Sequence, residues 1–434
     1  MKKWKDLDLQ WQILIGICAG LALGISVNQF AGQELHTGLL ATVKNLFGYG
    51  GDIFIRLLQM LIVPLVFSSI YMSIVKLQNI RELKKVGWTT VIYYLTTTAL
   101  AVLVGMILVN LIHPGSGFDP ETTAALKTSM GVPEQVSVQG VGERSSLIII
   151  IETFVRMIPD NPVAAMAQAD ILQVIFFTIF IAIVSAVIGK ATEPLNRVIE
   201  SVDKIMMRCI MMIMKIAPYC IFMLVTTLMA DLGFQAILAL GKYAITVLLG
   251  LTIHAVITLP LLVFLIGRYN PWRLFRAMLP AVLTAWSTAS SIATLPISLD
   301  CLEKKAGVDR KIGNFVLPLG ATVNMDGTAL YESVAVIFIA ELLSVPLSVG
   351  TQVIIFMTAT LAAIGAAAIP GAGLVTMGIV LTAAGLPLEG IGLILAIDRI
   401  LDQFRTAVNV WGDATAGVVV GRMDNAIAGD NERI

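Results

Sequence analysis

Three groups of residues in this chain have the types and spacing to do chemistry. The first is a polar stripe near the C-terminus, Asp398, Arg399, Asp402, Arg405, Thr406, Asn409 and Asp413, set in an otherwise apolar segment. At ~100° per residue, Asp398, Asp402, Arg405, Asn409 and Asp413 fall within about 80° of one another on a helix. Charges at the centre of a bilayer cost about 2.5–3.5 kcal/mol each on insertion scales. Five polar groups on one face are therefore expensive as mere interhelical glue, which is the alternative reading. The second group is Gly320-Ala321-Thr322-Val323-Asn324-Met325-Asp326-Gly327-Thr328, followed by Glu332. Gly, Asn and Asp inside an apolar run predict either local unwinding or a simple kink. Unwinding would free backbone carbonyls beside a carboxylate, a donor set suited to a hard cation such as Na⁺. The third is Tyr93-Tyr94-Leu95-Thr96-Thr97-Thr98, which by itself reads as helix packing.

Charge decides between these options. Asp398 and Arg399 are taken as a mutually neutralising pair. Asp326, Glu332, Asp402 and Asp413 against Arg405 then leave a net negative cavity, which a dehydrated site sustains only by taking up cations or protons with its solute. A lone Glu332 among apolar side chains is cheaper neutral than ionised and is expected to carry a proton.

The elements that must hold these groups are membrane helices. The 434 residues are 57% hydrophobic and only 13% charged, with mean hydropathy +0.87, against about a quarter charged in soluble domains. Net charge is zero, so nothing electrostatic favours nucleic acid. The four cysteines form no CxxC and read as packing residues, and the three histidines show no metal-ligand spacing. Spans of ~20 or more apolar residues are expected at 11–31, 42–75, 86–112, 146–188, 203–230, 236–267, 311–341 and 391–420. The first reads as a retained span with no cleavage motif behind it. The fourth is expected to break at Pro159-Asp160-Asn161-Pro162.

Residues 271–303 and 351–386 differ from the spans. Each has a helix-breaking centre, Ser287-Thr288-Ala289-Ser290-Ser291 and Ile364 to Gly373, flanked by short apolar runs. Both read as re-entrant hairpins, tolerated at membrane depth only where they line a protein cavity. Charge supports this. With a cytoplasmic N-terminus and two hairpins, Arg81, Lys84, Lys190, Arg197, Arg268, Arg273, Arg276, Lys304, Lys305, Arg310, Lys311 and Arg422 all fall inside. Counting the hairpins as full spans inverts everything after the first.

At these motifs the chain resembles the dicarboxylate/amino acid:cation symporters, the family of excitatory amino acid transporters and archaeal aspartate carriers. The resemblance runs from Asp52-Ile53-Phe54-Ile55-Arg56 to the last helix. It is carried above all by Asn324-Met325-Asp326-Gly327-Thr328 and by Arg405-Thr406-x-x-Asn409-x-x-Gly412-Asp413. It implies an all-α polytopic membrane protein of eight transmembrane helices plus two re-entrant hairpins, an inverted-repeat, elevator-type carrier. It further implies a homotrimer in the inner (plasma) membrane with both termini cytoplasmic. The scaffold would be 1–85 and 146–232 and the transport domain 86–112 and 233–421, with an external loop at 113–145 and a cytoplasmic tail at 422–434.

Carried over by motif, Arg405 would hold the substrate side-chain carboxylate with Thr328 beside it. Asp402 would take the α-ammonium, Asn409 the α-carboxylate, and Thr406 a neighbouring contact. Backbone around Ala289, Ser290 and Ser291 and from Ile369 to Gly373 would close over the substrate. Sodium would bind at Gly320, Asn324, Asn409 and Asp413, at Tyr94, Thr97, Thr98, Asn324 and Asp326, and at Thr322, Ala363, Ile364 and Ala366 near Met325. An acidic residue at 402 favours amino acids over plain dicarboxylates, Arg405 favours acidic substrates over neutral ones, and Glu332 matches proton-coupled relatives. The implied function is a symporter of aspartate or glutamate with Na⁺ and H⁺, needing no cofactor; a C4-dicarboxylate carrier is the runner-up. The chain departs from the family at Ala289 and Gln403, one or other of which is usually arginine; Arg399 lies on a different turn. A channel finds support only in Gly48-Tyr49-Gly50 without a filter sequence before it, and no catalytic constellation accompanies the acids.

Overall fold

The structure is a computed structural model that describes residues 9–30, 37–76, 84–117, 123, 127, 151, 155–232, 234–364 and 372–424. Its described secondary structure is helical throughout. In chain order the helices are α1 (Leu9–Phe30), α2 (Thr37–Lys76), α3 (Lys84–Ile112), α4 (Pro162–Ala167), α5 (Ile171–Ile188), α6 (Glu193–Leu232), α7 (Phe234–Ile253), α8 (Leu259–Leu265), α9 (Pro271–Thr288), α10 (Ser291–Lys304), α11 (Arg310–Val323), α12 (Asp326–Leu342), α13 (Val349–Ile364), α14 (Ala372–Ala383) and α15 (Ile391–Met423).

Six stretches of the described residues are long and apolar enough to cross a bilayer: Trp11–Asn28, Leu46–Val75, Val86–Ile112, Ile171–Thr227, Leu238–Leu265 and Arg310–Leu342. The fourth of these runs through α5, the short turn Gly189–Thr192 and α6, so it overlaps two of the expected spans, 146–188 and 203–230. The expected eighth span, α15, has 33 residues but is not among them. Its buried charges lower its apolarity below that of a lipid-facing helix. The expected break at 159–162 is present. Asn161 accepts from the Val163 and Ala164 amides at 3.0 and 3.2 Å to start α4, and Asp170 caps α5. Residues 146–150 lie outside the described set.

The helices fall into two packing groups. In one, α1 and α2 lie on α6, and α2 on α5. A Cβ on Gly16, Gly20 or Gly24 would stand 2.6, 2.9 or 2.6 Å from the carbonyls of Pro218, Phe222 and Thr226. This small-xxx-small ladder lets the α1 and α6 backbones touch. In the other group, α12 is the centre, packed on α3, α7, α13 and α15. Every residue of α12 except Glu341 is buried, Asp326 and Glu332 among them. The pairs α9/α10 and α13/α14 pack against each other as helical hairpins. The first turns where Ala289 takes a left-handed conformation (φ 49°) and the extended Ser290 caps α10. Residues 365–371, between α13 and α14, lie outside the described residues.

Between α7 and α8 the Leu259 amide bonds to the His254 carbonyl five residues back. Pro260 follows at once and cannot donate to an ordinary helical turn. The resulting π-turn, His254–Thr258, places the His254 ring in the interior with no exposure.

Candidate substrate and cation site on α12 and α15

The polar stripe of α15 faces inward as the spacing predicts: Asp398, Asp402, Arg405, Thr406, Asn409 and Asp413 are all buried. It meets the junction of α11 and α12, where the helix unwinds for two residues. Asn324 (φ −95°, ψ 89°) and Met325 (φ −116°, ψ 51°) leave helical geometry, and α12 restarts at Asp326. The unwinding alternative is the one found. Gly327 makes the crossing tight, since a Cβ there would lie 2.6 Å from the Arg405 carbonyl.

One end of the interface is an arginine–aspartate cluster. Arg405 is 1% exposed. Its Nη2 donates to Asp402 Oδ1 at 2.8 Å and lies 3.0 Å from Asp398 Oδ1, with the guanidinium 3.8 Å from the Tyr331 ring centre. The Tyr331 hydroxyl also donates to Asp398 Oδ1, at 2.7 Å. Arg399 Nη1 donates to Asp402 Oδ2 at 3.1 Å. The expected Asp398–Arg399 pair is therefore corrected. Adjacent residues on a helix diverge by ~100°, so each acid instead finds a cation three or more residues away. The Nε and Nη1 atoms of Arg405 are buried with no partner. A Cβ on Gly373 would meet Nη1 at 2.7 Å, so the first turn of α14 packs directly on the guanidinium edge at a position where no side chain fits.

The other end is rich in oxygen. Asp326 Oδ1 accepts from Thr98 at 2.7 Å and Thr97 at 3.2 Å, and Thr97 also reaches Asn324 Oδ1 at 3.3 Å. Asn324 Nδ2 donates to Asp413 Oδ1 at 3.0 Å. Gly320 packs directly on the Asp413 carboxylate and the Tyr94 hydroxyl, and that hydroxyl donates to the Val316 carbonyl at 2.8 Å. The first two expected cation sets are thus brought together around the unwound turn. Of the third, Thr322 bonds its own helix at the Leu319 carbonyl. Ala363 and Ile364 end α13, which packs on α11. Ala366 and Ile369 lie outside the described residues.

Asn409 joins the two ends. Its Oδ1 accepts from the Gly327 amide at 2.8 Å, and its Nδ2 lies 3.2 Å from Met325 Sδ and 3.3 Å from Thr328 Oγ1. The Thr406 hydroxyl donates to the Asp402 carbonyl at 2.8 Å. Ala289, Ser290 and Ser291 form the turn between α9 and α10, both of which pack on α15. Glu332 is fully buried; its Oε1 accepts from the Thr376 hydroxyl of α14, and its Oε2 has no partner.

Sequence reasoning passed over His254, Tyr331 and Thr376. His254 Nε2 lies 3.1 Å from Asp326 Oδ2, with both groups fully buried. A test for metal-ligand spacing does not detect it. Its signal is an ionisable ring in the middle of an apolar span. Tyr331 and Thr376 carry no such signal, since each is an ordinary helix residue until α15 packs beside Tyr331 and α12 beside Thr376.

These features define a helical membrane carrier with a buried charged site at a broken helix. Residues 9–423 match the model of the sodium:dicarboxylate symporter family. An excitatory amino acid transporter of Caenorhabditis elegans is 37% identical over 92% of this chain and 86% of its own length. Excitatory amino acid transporter 1 of Ambystoma tigrinum is 36% identical over 94% and 81%, and human excitatory amino acid transporter 3 is 34% identical over 97% and 87%. The chain belongs to the sodium:dicarboxylate symporter family.

Proposed function

We propose that the protein is a secondary active symporter that imports acidic amino acids, aspartate or glutamate, with Na⁺ and a proton. The observation that carries this is the edge of Arg405: two unpartnered, fully buried guanidinium donors beside Gly373, one helical turn from a carboxylate. A fixed fork suits a carboxylate, and Asp402 suits an ammonium. Both are present for an amino acid with an acidic side chain. The names of the relatives agree. On binding, Arg405 exchanges Asp402 for the substrate carboxylate while Asp402 exchanges Arg405 for the ammonium.

Na⁺ travels as cargo at the oxygen-rich end, where Asp326, Asp413, Asn324, Thr97 and Thr98 suit a hard cation. Asn409 and the Gly327 amide connect that end to Arg405, so filling one end steadies the other. Eight spans with two re-entrant hairpins, a homotrimer, cytoplasmic termini and an elevator movement of 86–112 and 233–421 against 1–85 and 146–232 complete the proposal. The two packing groups support that division, and the exposed apolar side chains of α3 and α5 suit a lipid surround. Purified protein should bind aspartate at least about 100-fold more tightly in sodium than in choline buffer, since linkage makes each ligand strengthen the other. Equal affinity in both overturns the reading.

Glu332 would carry the proton. Its carboxyl has one hydroxyl partner and one orphaned oxygen. In proteoliposomes an acid-outside gradient should stimulate wild-type uptake. Glu332→Gln should keep sodium-driven uptake and lose that stimulation; if the stimulation survives, the proton travels elsewhere. A C4-dicarboxylate carrier remains the second reading, favoured by the arginines on both Asp402 oxygens. Competition settles it: succinate displacing aspartate at equal concentration supports the dicarboxylate.

A further inference from the structure

α15 presents two arginines to two buried aspartates, and the proposed substrate chemistry uses only one of them. Arg399 is 14% exposed at its side chain, holds Asp402 Oδ2 at 3.1 Å, and keeps a buried, unpartnered Nε. Arg405 uses one nitrogen, Nη2, for both Asp398 and Asp402. The four side chains sum to zero charge: two carboxylates, two guanidiniums.

That balance breaks when an acidic substrate arrives. Its side-chain carboxylate claims Arg405, so one guanidinium would serve three carboxylates if Arg399 were absent. Buried carboxylates without a cation are costly, and the cheapest response is for Arg405 to stay on Asp398 and Asp402 and refuse the substrate. Arg399 removes this competition. It lies three residues before Asp402 on the same helix, where side chains face each other, so it needs no other element to reach its acid. It takes Oδ2 and leaves Oδ1 as the atom that trades partners.

We propose that Arg399 is a positioning residue of the substrate site, a second cation that neutralises and orients Asp402 so that Arg405 is released to the substrate carboxylate. This rests on the acidic amino acid reading above. If Arg399 were only glue for α15, its loss would lower stability and turnover and leave substrate affinity alone.

The test uses full-length protein in proteoliposomes at saturating Na⁺. For Arg399→Gln, the aspartate KM should rise about tenfold with kcat held within about threefold, a split expected when a binding interaction is lost. Arg399→Lys should recover most of the affinity. Arg399→Met, which keeps an unbranched stem and removes the charge, should raise KM about as much as Arg399→Gln does. An unchanged KM in Arg399→Gln overturns the proposal, as does a fall in kcat alone. If Arg399→Gln does not fold, Arg399→Met decides: a KM raised about tenfold in it supports the proposal, and a wild-type KM overturns it. Wild-type protein that does not bind aspartate defeats the functional reading itself. Wild-type protein that binds while Arg399→Gln binds equally well defeats only this inference.

Discussion

Arg405→Ala should reduce aspartate affinity by about 10²–10⁴-fold, because removing one partner of a buried ion pair costs about 3–5 kcal/mol and each 1.36 kcal/mol is tenfold. Two losses add in the same direction. The substrate carboxylate has no fork to meet, and Asp398 and Asp402 are left with Arg399 as their nearby cation. The pocket becomes net negative and repels an anion. A neutral amino acid, which brings an ammonium for Asp402 and no side-chain charge, should lose far less and gain relative to aspartate. Arg405→Lys should fall between, since an ammonium restores charge but not the planar fork or its stacking on Tyr331. Radiolabelled aspartate and serine binding to each variant, with sodium-induced thermal stabilisation as the check on folding, measures both effects. Aspartate binding of wild-type strength in Arg405→Ala would remove the basis of the site.

The second large effect falls at the other end of the interface. Asp326→Asn should raise the sodium concentration needed for half-maximal aspartate binding at least about tenfold, by removing a full negative charge from a dehydrated cation site. The change is nearly isosteric, so the helix restart at 326 is kept. Thr98, Thr97 and His254 all address this carboxylate, and an amide can still accept from two of them. The loss therefore reports charge rather than packing. At saturating sodium the aspartate affinity should return towards wild type, because Arg405 and Asp402 are untouched. A sodium titration of aspartate binding at fixed ionic strength reads both numbers. If the half-saturating sodium is unchanged, Asp326 is a structural acid held by its histidine and threonines, and the cation binds elsewhere.

The sequence alone was enough to establish the helical membrane class, the inward stripe of α15 and the first hairpin turn, and it narrowed 320–328 to an unwound turn or a kink. Each follows from local rules. Apolar length, a ~100° helical repeat and backbone-freeing Gly, Asn and Ser residues act within one segment and leave their marks there. The pairing of charges was beyond its reach. Asp398 beside Arg399 looks neutralised in one dimension, yet on a helix they point apart, and Arg405 takes Asp398 while Arg399 takes Asp402. His254 acquires a role only because a π-turn rotates it towards Asp326, 72 residues away. Tyr331 becomes the floor under Arg405 only when α12 crosses α15. Gly16, Gly20 and Gly24 reveal their purpose only against the carbonyls of α6. Which side chains share a buried space is set by how helices cross, and that depends on contacts between segments hundreds of residues apart. Composition fixed what kind of groups must be satisfied in the interior; tertiary packing decided which group satisfies which.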